Sequence, residues 1–191
     1  MTSTASLRAT AHPLRLRILS LLTGAELSAA EIARELATSQ ANASYHVRVL
    51  ATAGLVVPAG EVKIRGGTAK RYRHPWRGKE SDPSGARGPG DGGRALLGPA
   101  ERAARQSLIR AVADELVRRS SQLREGRAYL ADAELWVDLD SWQRTEELVA
   151  EASALIHDAA QPPRTEGTIR VNMSVVLFQM TESAEQAGLG R

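Results

Sequence analysis

Two groups of side chains between positions 39 and 73 carry the chemistry that this sequence offers. The first group donates and accepts hydrogen bonds through hydroxyl, amide and imidazole groups, and consists of Ser39, Gln40, Asn42, Ser44, Tyr45 and His46. The second group is cationic and consists of Lys63, Arg65, Lys70, Arg71 and Arg73. Asn and Gln pair bidentately with adenine, and Lys and Arg neutralise phosphates. Together the two groups predict contacts to the base edges and to the phosphates of duplex DNA.

A helix-turn-helix pattern predicts how the first group is positioned. Ser28 and Glu31 have the spacing of a capping box, which opens a short helix that ends before Ser39. Ser39 then caps a second helix over residues 40–53, and Gly54 ends it. The face of this helix that we expect to be buried is formed by Ala43, Val47 and Leu50. The polar residues are left outside or at the flank, in the first two turns, where the side chains of a recognition helix reach base edges.

A basic hairpin is predicted directly after that helix. Residues 62–65 and 69–74 have the pattern of two strands, and Gly66-Gly67 permits the positive φ angles of a tight turn. Alternation along the first strand places Lys63 and Arg65 on one face. We expect two or three of the five cations to contact phosphates, each adding about 0.9 to the slope of log affinity against log salt concentration.

A helix upstream of the motif completes the predicted N-terminal domain. Residues 13–22 repeat apolar side chains at spacings of three and four, which is typical of a helix packed on a core. The stripe consists of Leu14, Ile18, Leu21 and Leu22. His12 is expected to cap this helix. A winged helix-turn-helix domain is therefore predicted over residues 1–76.

The composition changes sharply after the wing. Residues 77–99 hold mostly Gly, Pro, Ser and charged residues, and so cannot bury enough apolar surface to offset the entropy of ordering. We predict that they form a flexible linker, followed by a second domain over residues 100–191. The predicted fold class is α+β, with the second domain arranged as helix, strand, helix and strand.

The second domain is predicted to join two copies of the chain. A long helix over residues 99–130 carries a narrow apolar stripe that suits pairing with another helix, formed every seven residues by Ile109, Leu116, Leu123 and Leu130. Residues 134–139 and 168–180 alternate like strands, and a helix capped by Asp140 runs between them to about position 159. The domain's scarce large side chains form either its core or an effector pocket, and they are Trp136, Trp142, Met173, Phe178 and Met180.

Charge is unevenly distributed along the chain. Residues 1–76 carry ten Lys and Arg against four Asp and Glu, a net charge of +6. Residues 77–99 carry four against three, a net +1, and residues 100–191 carry eleven against fifteen, a net −4. The first part suits a polyanion and the last part would repel one, so only the first is expected to face DNA. The bias to Arg and Ala is typical of a GC-rich bacterial genome.

Several function classes are excluded or disfavoured. The chain has no Cys, which excludes disulfides, thiolate metal sites and cysteine nucleophiles. No histidine has a second ligand at a helical spacing, and no phosphate loop or catalytic carboxylate pair is present, so we expect no enzyme, cofactor or metal site. No signal-peptide pattern and no apolar run of roughly 18–20 residues is found, so a cytoplasmic protein without a membrane partner is expected.

The first part of the chain resembles the ArsR family of bacterial regulators. The resemblance covers about residues 7–76 and rests on segments 11–22, 28–36 and 40–56, with the recognition-helix residues Ser44, His46, Val47, Leu50 and Gly54-Leu55-Val56. It implies a homodimeric repressor of a pseudo-palindromic operator, whose DNA affinity is changed by an effector. The cysteine pair of the metal-sensing members would fall near residues 32–34, where this chain has none, and His157-Asp158 is an isolated pair. Metal sensing is therefore not supported.

Two other interpretations stay open at the level of sequence. A winged helix serves in some proteins as a protein-interaction module that does not act through DNA, although the basic wing argues against that here. A ligand-sensing relative of an enzyme would need a cluster of polar side chains, which the sequence does not show.

Overall fold

The computed structural model of the protein describes residues 4–64, 67–75, 98–124 and 129–180. Those residues form six helices and three strands, in the order α1 (Thr4–Thr10), α2 (Pro13–Gly24), β1 (Leu27–Ser28), α3 (Ala29–Glu35), α4 (Gln40–Thr52), β2 (Val57–Ile64), β3 (Gly67–Arg73), α5 (Pro99–Ser120) and α6 (Leu139–Asp158). The strands make one antiparallel sheet in the order β1-β3-β2. Helices followed by this small sheet confirm the predicted α+β winged helix-turn-helix.

Helices α2, α3 and α4 enclose the hydrophobic core. Its largest side chains, all removed from solvent, are Ile18, Leu22, Ile32, Val47 and Leu50. Burying a side chain of this size contributes roughly 1.5–3 kcal/mol. The predicted stripe of α2 and the predicted buried face of α4 are confirmed, since Ala43 is also fully buried and Leu14 and Leu21 pack against the core. This core fixes the orientation of α4 relative to α2 and α3.

The start of α3 is stabilised by the predicted capping box. Ser28 Oγ accepts a hydrogen bond from the Glu31 amide at 3.4 Å, and Glu31 Oε2 accepts one from the Ser28 amide at 2.7 Å. Ser28 also belongs to β1, where it pairs with Arg71 of β3. The sequence does not predict β1 or α1, because elements of two and seven residues show too little periodicity. The sheet thus joins the wing to the start of the helix-turn-helix.

The turn between α3 and α4 contains one left-handed residue. Ala37 has a φ of 52°, a conformation that residues with a Cβ rarely adopt. The Thr38 amide donates to the Ala33 carbonyl at 2.9 Å and closes the turn. At the other end of α4, Gly54 has a φ of 71° and stops the helix, as predicted.

Helix α5 packs against α1 and α2 of the N-terminal domain. The face of α5 in this contact buries two small side chains, Ala104 and Ala111, and the carboxylate of Glu115. The opposite face, with Ile109 and Leu116 of the predicted stripe, is exposed.

The predicted length of this helix is wrong. It ends at Ser120, and so Leu123 and Leu130 lie outside it and are exposed. The hydroxyls of Ser120 and Ser121 donate to the carbonyls of Val117 and Arg118 at 2.8 and 2.9 Å. Such local bonds compete with the helical hydrogen bonds and favour an end at this position.

Neither predicted strand of the second domain is present in the single chain. Residues 134–138 and 168–180 form no regular secondary structure, although their apolar side chains alternate. Without a neighbouring strand, alternation alone cannot form a ladder. Helix α6 is present, but Asp138 caps it in place of Asp140, with Oδ1 accepting from the Ser141 amide at 2.7 Å. The segment after α6 returns to α2, where a Cβ on Gly24 would lie 2.5 Å from the Gln161 carbonyl oxygen.

The large apolar side chains of the C-terminal half form neither a core nor an effector pocket, which are the two arrangements that the sequence left open. Trp136, Phe178 and Met180 are all more than half exposed, while Trp142 and Met173 are half-buried. Within the described residues they therefore make neither a core nor an enclosed pocket.

Some sequence predictions fall on residues outside the described ranges. They include Arg65 and Gly66 of the wing turn and the proposed linker up to position 97, so the linker and the domain bounds stay predictions. Among the helices that the structure describes, none combines the length and the apolar character needed to cross a bilayer.

Candidate nucleic-acid interface

The first turn of α4 presents polar side chains in a fixed arrangement. Ser39 Oγ accepts a hydrogen bond from the Asn42 amide at 3.2 Å, and Asn42 Nδ2 donates to Thr38 Oγ1 at 2.9 Å. A side-chain amide has two N–H groups and a carbonyl oxygen, so Asn42 keeps one donor and its acceptor for a further partner. Gln40 is exposed beside it. This end of the helix therefore carries two exposed amides, and Asn42 is already oriented by its neighbours.

The next turn of α4 adds an aromatic ring and a cation. Tyr45 is 55% exposed and lines a shallow depression together with Arg48, Val49 and Thr52. Arg48 is exposed, and its Nε donates to the Ser44 carbonyl at 3.4 Å. Sequence reasoning missed Arg48, although its position one helical turn after Ser44 indicates an outward direction. Ser44 itself is half-buried.

His46 is buried, so the expectation that it lies outside or at the flank of the recognition helix is wrong. Its side chain is only 6% exposed, and its ring lies 4.6 Å from the His12 ring and 5.1 Å from the Tyr45 ring. His12 Nδ1 accepts from the Leu14 amide at 3.1 Å, which confirms that His12 caps α2. His46 therefore supports the packing of α4 against the start of α2 and does not face solvent.

The two adjacent histidine rings, His12 and His46, favour the neutral form. Burial lowers the pKa of His46, and the neighbouring His12 and Arg15 lower it further. Burial also lowers the pKa of His12, with Arg15 acting in the same direction. A neutral pair avoids placing two positive charges next to Arg15 between the helices.

Among the described residues of the wing, two cations are exposed. In the hairpin Lys63 pairs with Thr68 and Glu61 pairs with Lys70, so both lysines lie on the same face of the ribbon. Both are exposed, and no ion pair joins either of them to a carboxylate in the described part of the chain. Glu61 partly offsets their charge, because it lies directly across from Lys70. Lys63 and Lys70 are thus available for phosphates.

Arg71 is bonded inside the domain. Its guanidinium donates to the Glu26 carbonyl, and its Nε lies 3.9 Å from Glu31 Oε2. These contacts join β3 to the segment that begins α3. Arg73 is half-buried at the end of the same strand. The partial burial of Arg71 and Arg73 does not favour a contact to phosphate, which stays a prediction for both residues. Arg65 lies outside the described residues.

The geometry divides the predicted site into two parts. One exposed end of α4 and one face of the wing remain as candidate contact surfaces, formed by Ser39, Gln40, Asn42, Tyr45, Lys63 and Lys70. His46 and Arg71 instead hold those two elements in place. Over the described ranges, no group of three or more His, Asp or Glu side chains gathers in a geometry that would hold a metal ion.

A comparison with protein families matches residues 10–58 to a helix-turn-helix domain. The matched residues run from the end of α1, through α2, α3 and α4, into β2. None of the curated proteins compared with this chain matches it significantly. The match supports a winged helix-turn-helix regulator that binds DNA in the control of transcription.

Proposed function

We propose that this chain is a sequence-specific transcription regulator, a homodimeric repressor of the ArsR type without a cysteine metal site. The observation that carries the proposal is the exposed end of α4, where Asn42 is held by Thr38 and lies beside Gln40. Amides in the first turn of a helix-turn-helix recognition helix reach base edges in the major groove.

The wing supplies the part of the affinity that does not depend on sequence. Lys63 and Lys70 are exposed on one face of the hairpin. Each phosphate that such a cation neutralises releases counterions, so binding weakens as salt rises, by about 0.9 in the log–log slope for each contact. The wing and the recognition helix therefore make separable contributions.

The test is fluorescence anisotropy with duplexes selected from genomic fragments. Asn42→Ala and Tyr45→Ala should each cost about 1–3 kcal/mol on the selected sequence and little on an unrelated one. Lys63→Ala and Lys70→Ala should weaken binding to both duplexes and reduce the salt slope. Arg144→Ala removes the same charge from the exposed face of α6, and is expected to change neither quantity.

One result would replace the proposal. Affinity that stays constant between low and moderate salt, with no effect of the Asn42 and Lys70 variants, would show that the duplex does not meet this surface. The winged helix would then be assigned as a protein-interaction module.

The proposed dimer sets the form of the operator. Two recognition helices related by a two-fold axis address half-sites about one helical turn, roughly 34 Å, apart. Helix α5 is the proposed contact, because Ile109 and Leu116 are exposed on the face that α1 and α2 leave uncovered. Changing the spacing of the half-sites by about half a turn should abolish the gain from the second site.

The proposed location, mode of regulation and effector all depend on the assignment of the chain as a regulator. Its target is DNA, so the proposed location is the cytoplasm and no catalytic activity is proposed. Repression follows from the ArsR resemblance. A small-molecule effector belongs to the same proposal, but no residue is assigned to it.

A further inference from the structure

Two segments of the C-terminal half expose apolar side chains with the alternation of strands. We call residues 129–137 the arm and residues 169–180 the tail. Every residue of the arm is exposed, and Trp136 is 83% accessible to solvent. Leu135 and Val137 alternate with polar or aromatic positions in the arm, as Ile169 and Val171 do in the tail. Such alternation specifies a strand with one buried face, which a single chain leaves in water.

The backbone of both segments is unpaired as well. Over the described ranges, no backbone hydrogen bond joins the arm or the tail to another residue, and the one sheet contains only β1, β3 and β2. An extended backbone with free N–H and C=O groups is a template for pairing with another strand. The two segments thus expose their apolar side chains to solvent and leave their backbone N–H and C=O groups without backbone hydrogen bonds in the described ranges.

Helix α6 connects the arm to the tail and is only partly covered by the rest of the chain. None of its residues is buried, and Leu148 and Leu155 are exposed. In proteins most of the stability of a helix comes from the packing of its amphipathic face and not from its intrinsic propensity. A helix between two strands is normally stabilised by packing on the sheet that those strands form. The same missing sheet therefore accounts for the exposure of all three elements.

Side-chain hydrogen bonds hold the start of the tail on its own chain, and within the described ranges no backbone hydrogen bond joins it to the arm of that chain. Arg119 Nη1 donates to Asn172 Oδ1 at 3.0 Å, and Arg170 Nη1 donates to Gln122 Oε1 at 2.9 Å, so the start of the tail lies along the end of α5. A second copy presents the same two unpaired segments. Exchange about a two-fold axis pairs each arm with the tail of the other copy. The dimer then contains two arm–tail pairs, and each supplies the hydrogen-bond partners that the single chain lacks.

We infer that the arm of one copy pairs with the tail of the other, and that the sheet of the C-terminal half exists only in the dimer. The inference rests on the proposed homodimer and specifies which residues meet. It differs from pairing through the stripe of α5 alone, because it requires backbone hydrogen bonds between copies.

The charges of the arm and the tail, and the area that their aromatic side chains can bury, both fit pairing with a second copy of the chain. The arm carries Asp132 and Glu134 and no base, whereas the tail carries Arg170 and no acid. Opposite charges across a strand pair contribute about 0.2–1 kcal/mol. Tyr129, Trp136 and Phe178 are each more than half exposed. Aromatic side chains bury roughly 150–250 Å² each, so these three supply a large part of the about 800 Å² per partner that a stable interface buries.

The absence of native Cys makes cross-linking a specific test. Ala133→Cys in the arm and Val171→Cys in the tail are placed in separate full-length chains, one with a size tag, which are mixed and oxidised. Ala131→Cys and Met173→Cys cover the neighbouring registers. We expect a covalent heterodimer for at least one arm–tail combination, since only adjacent Cβ atoms form a disulfide. Glu151→Cys on exposed α6, mixed with Val171→Cys, gives the background.

A second measurement does not depend on the register. Val175→Pro removes a tail N–H and cannot join a central strand, whereas Val175→Thr keeps the backbone and the β-branched shape. Sedimentation velocity without DNA should show dimers for the native chain and for the Thr variant. The dissociation constant of the Pro variant should rise at least about tenfold, which is about 1.4 kcal/mol. An unchanged circular dichroism minimum and retained binding to one half-site show that α4 and its domain are folded.

The possible outcomes separate this inference from the proposed function. A monomeric native chain, a Pro variant that dimerises as tightly as the native chain, or arm–tail cross-links no more abundant than the Glu151→Cys background would each overturn the exchanged pairing. A native chain that dimerises and cross-links as expected but binds no duplex would overturn the DNA assignment and leave the arm–tail pairing standing.

Discussion

Arg71 of β3 lies beside Glu31 of α3, with its Nε 3.9 Å from Glu31 Oε2. Glu31 is the carboxylate of the capping box, and the Arg71 guanidinium also donates to the carbonyl of Glu26. One arginine therefore joins the wing to the segment that begins the helix-turn-helix. A cation in the wing thus stabilises the domain, while its neighbour Lys70 remains exposed.

Arg71→Ala should lower stability more than it lowers DNA affinity. The side chains of Arg71 and Glu31 are each 34% exposed. Solvent screens the pair, so we expect a loss of about 1 kcal/mol or less in the free energy of unfolding. The slope of log affinity against log salt should stay nearly unchanged. Urea unfolding and salt-dependent anisotropy measure the two quantities.

Lys70→Ala is the matched control for that prediction. It should leave the urea midpoint unchanged and reduce the salt slope by about 0.9. A salt slope that falls as much for Arg71→Ala as for Lys70→Ala would show that Arg71 also contacts phosphate.

Stability should fall in acid through Glu31. Hydrogen bonds from the Ser28 backbone and side chain hold the pKa of Glu31 below its usual value; burial opposes this and Arg71 assists it. The unfolded chain therefore takes up its proton first, and the stabilisation present above the ordinary glutamate pKa is lost as pH falls through the lowered one. Glu31→Gln should flatten this part of the curve of urea midpoint against pH. The exposed Glu61→Gln variant is expected to retain it.

The adjacent histidines His12 and His46 predict a second decline of stability at milder pH. Burial, assisted by Arg15, lowers the pKa values of His12 and His46. The unfolded chain binds protons first, so stability falls as pH decreases below the ordinary histidine pKa of about 6.5. His46→Phe keeps a buried ring but does not titrate, and should reduce this decline in the thermal midpoint. A decline of unchanged size would show that His46 does not contribute to it.

Ala37→Gly should stabilise the turn before the recognition helix. The φ of 52° at this position costs a residue with a Cβ roughly 1–2 kcal/mol, which glycine does not incur. The greater entropy of glycine in the unfolded chain offsets part of that gain, so we expect a net increase of up to about 1 kcal/mol in the free energy of unfolding. Ala41→Gly, in the helical first turn of α4, should be neutral or destabilising. Urea unfolding distinguishes the two, and a loss of stability at position 37 would contradict the prediction.

Glu115→Ala should weaken the packing of α5 on α2. Glu115 is 3% exposed, and its Oε2 lies 2.7 Å from Arg118 Nη2 and 3.3 Å from Arg119 Nε, with Arg17 of α2 also nearby. Removing the carboxylate leaves these guanidinium groups without a counter-charge, at a cost of about 1–3 kcal/mol. Glu101→Ala breaks a more exposed pair in the same helix and should cost less than about 0.5 kcal/mol. An equal fall in thermal midpoint for Glu115→Ala and Glu101→Ala would show that the burial of Glu115 does not increase its contribution to stability.

The parts of the fold that the sequence predicted well are governed by local patterns. The capping box at Ser28 and the buried face through Val47 depend on spacings of three and four residues within one helix. His46 shows the limit of that reasoning. It lies three residues after Ala43, so it shares the buried face, but its polarity suggested exposure. The partner that makes its burial favourable, His12, is distant in sequence and is brought close only by the packing of α2 on α4.

The strands of the second half show a different limit. Alternation at Leu135 and Val171 indicates a preference for extended backbone, and the structure has no regular helix there. The pattern does not say which strand supplies the hydrogen bonds, because every strand edge offers the same groups. Arg71 illustrates the same point for charge, since composition alone does not distinguish a cation bonded within the fold from one open to solvent.

Gly24 lies at the end of α2, and a single added carbon there would collide with the carbonyl of Gln161. No side chain separates the two backbones, so the residues after α6 lie directly against the end of α2. The N-cap residue of that helix, His12, packs against His46 of α4. A larger residue at position 24 would therefore have to displace the segment after α6 from the end of α2. The C-terminal half thereby meets the N-terminal half at a contact that does not involve residues 77–99.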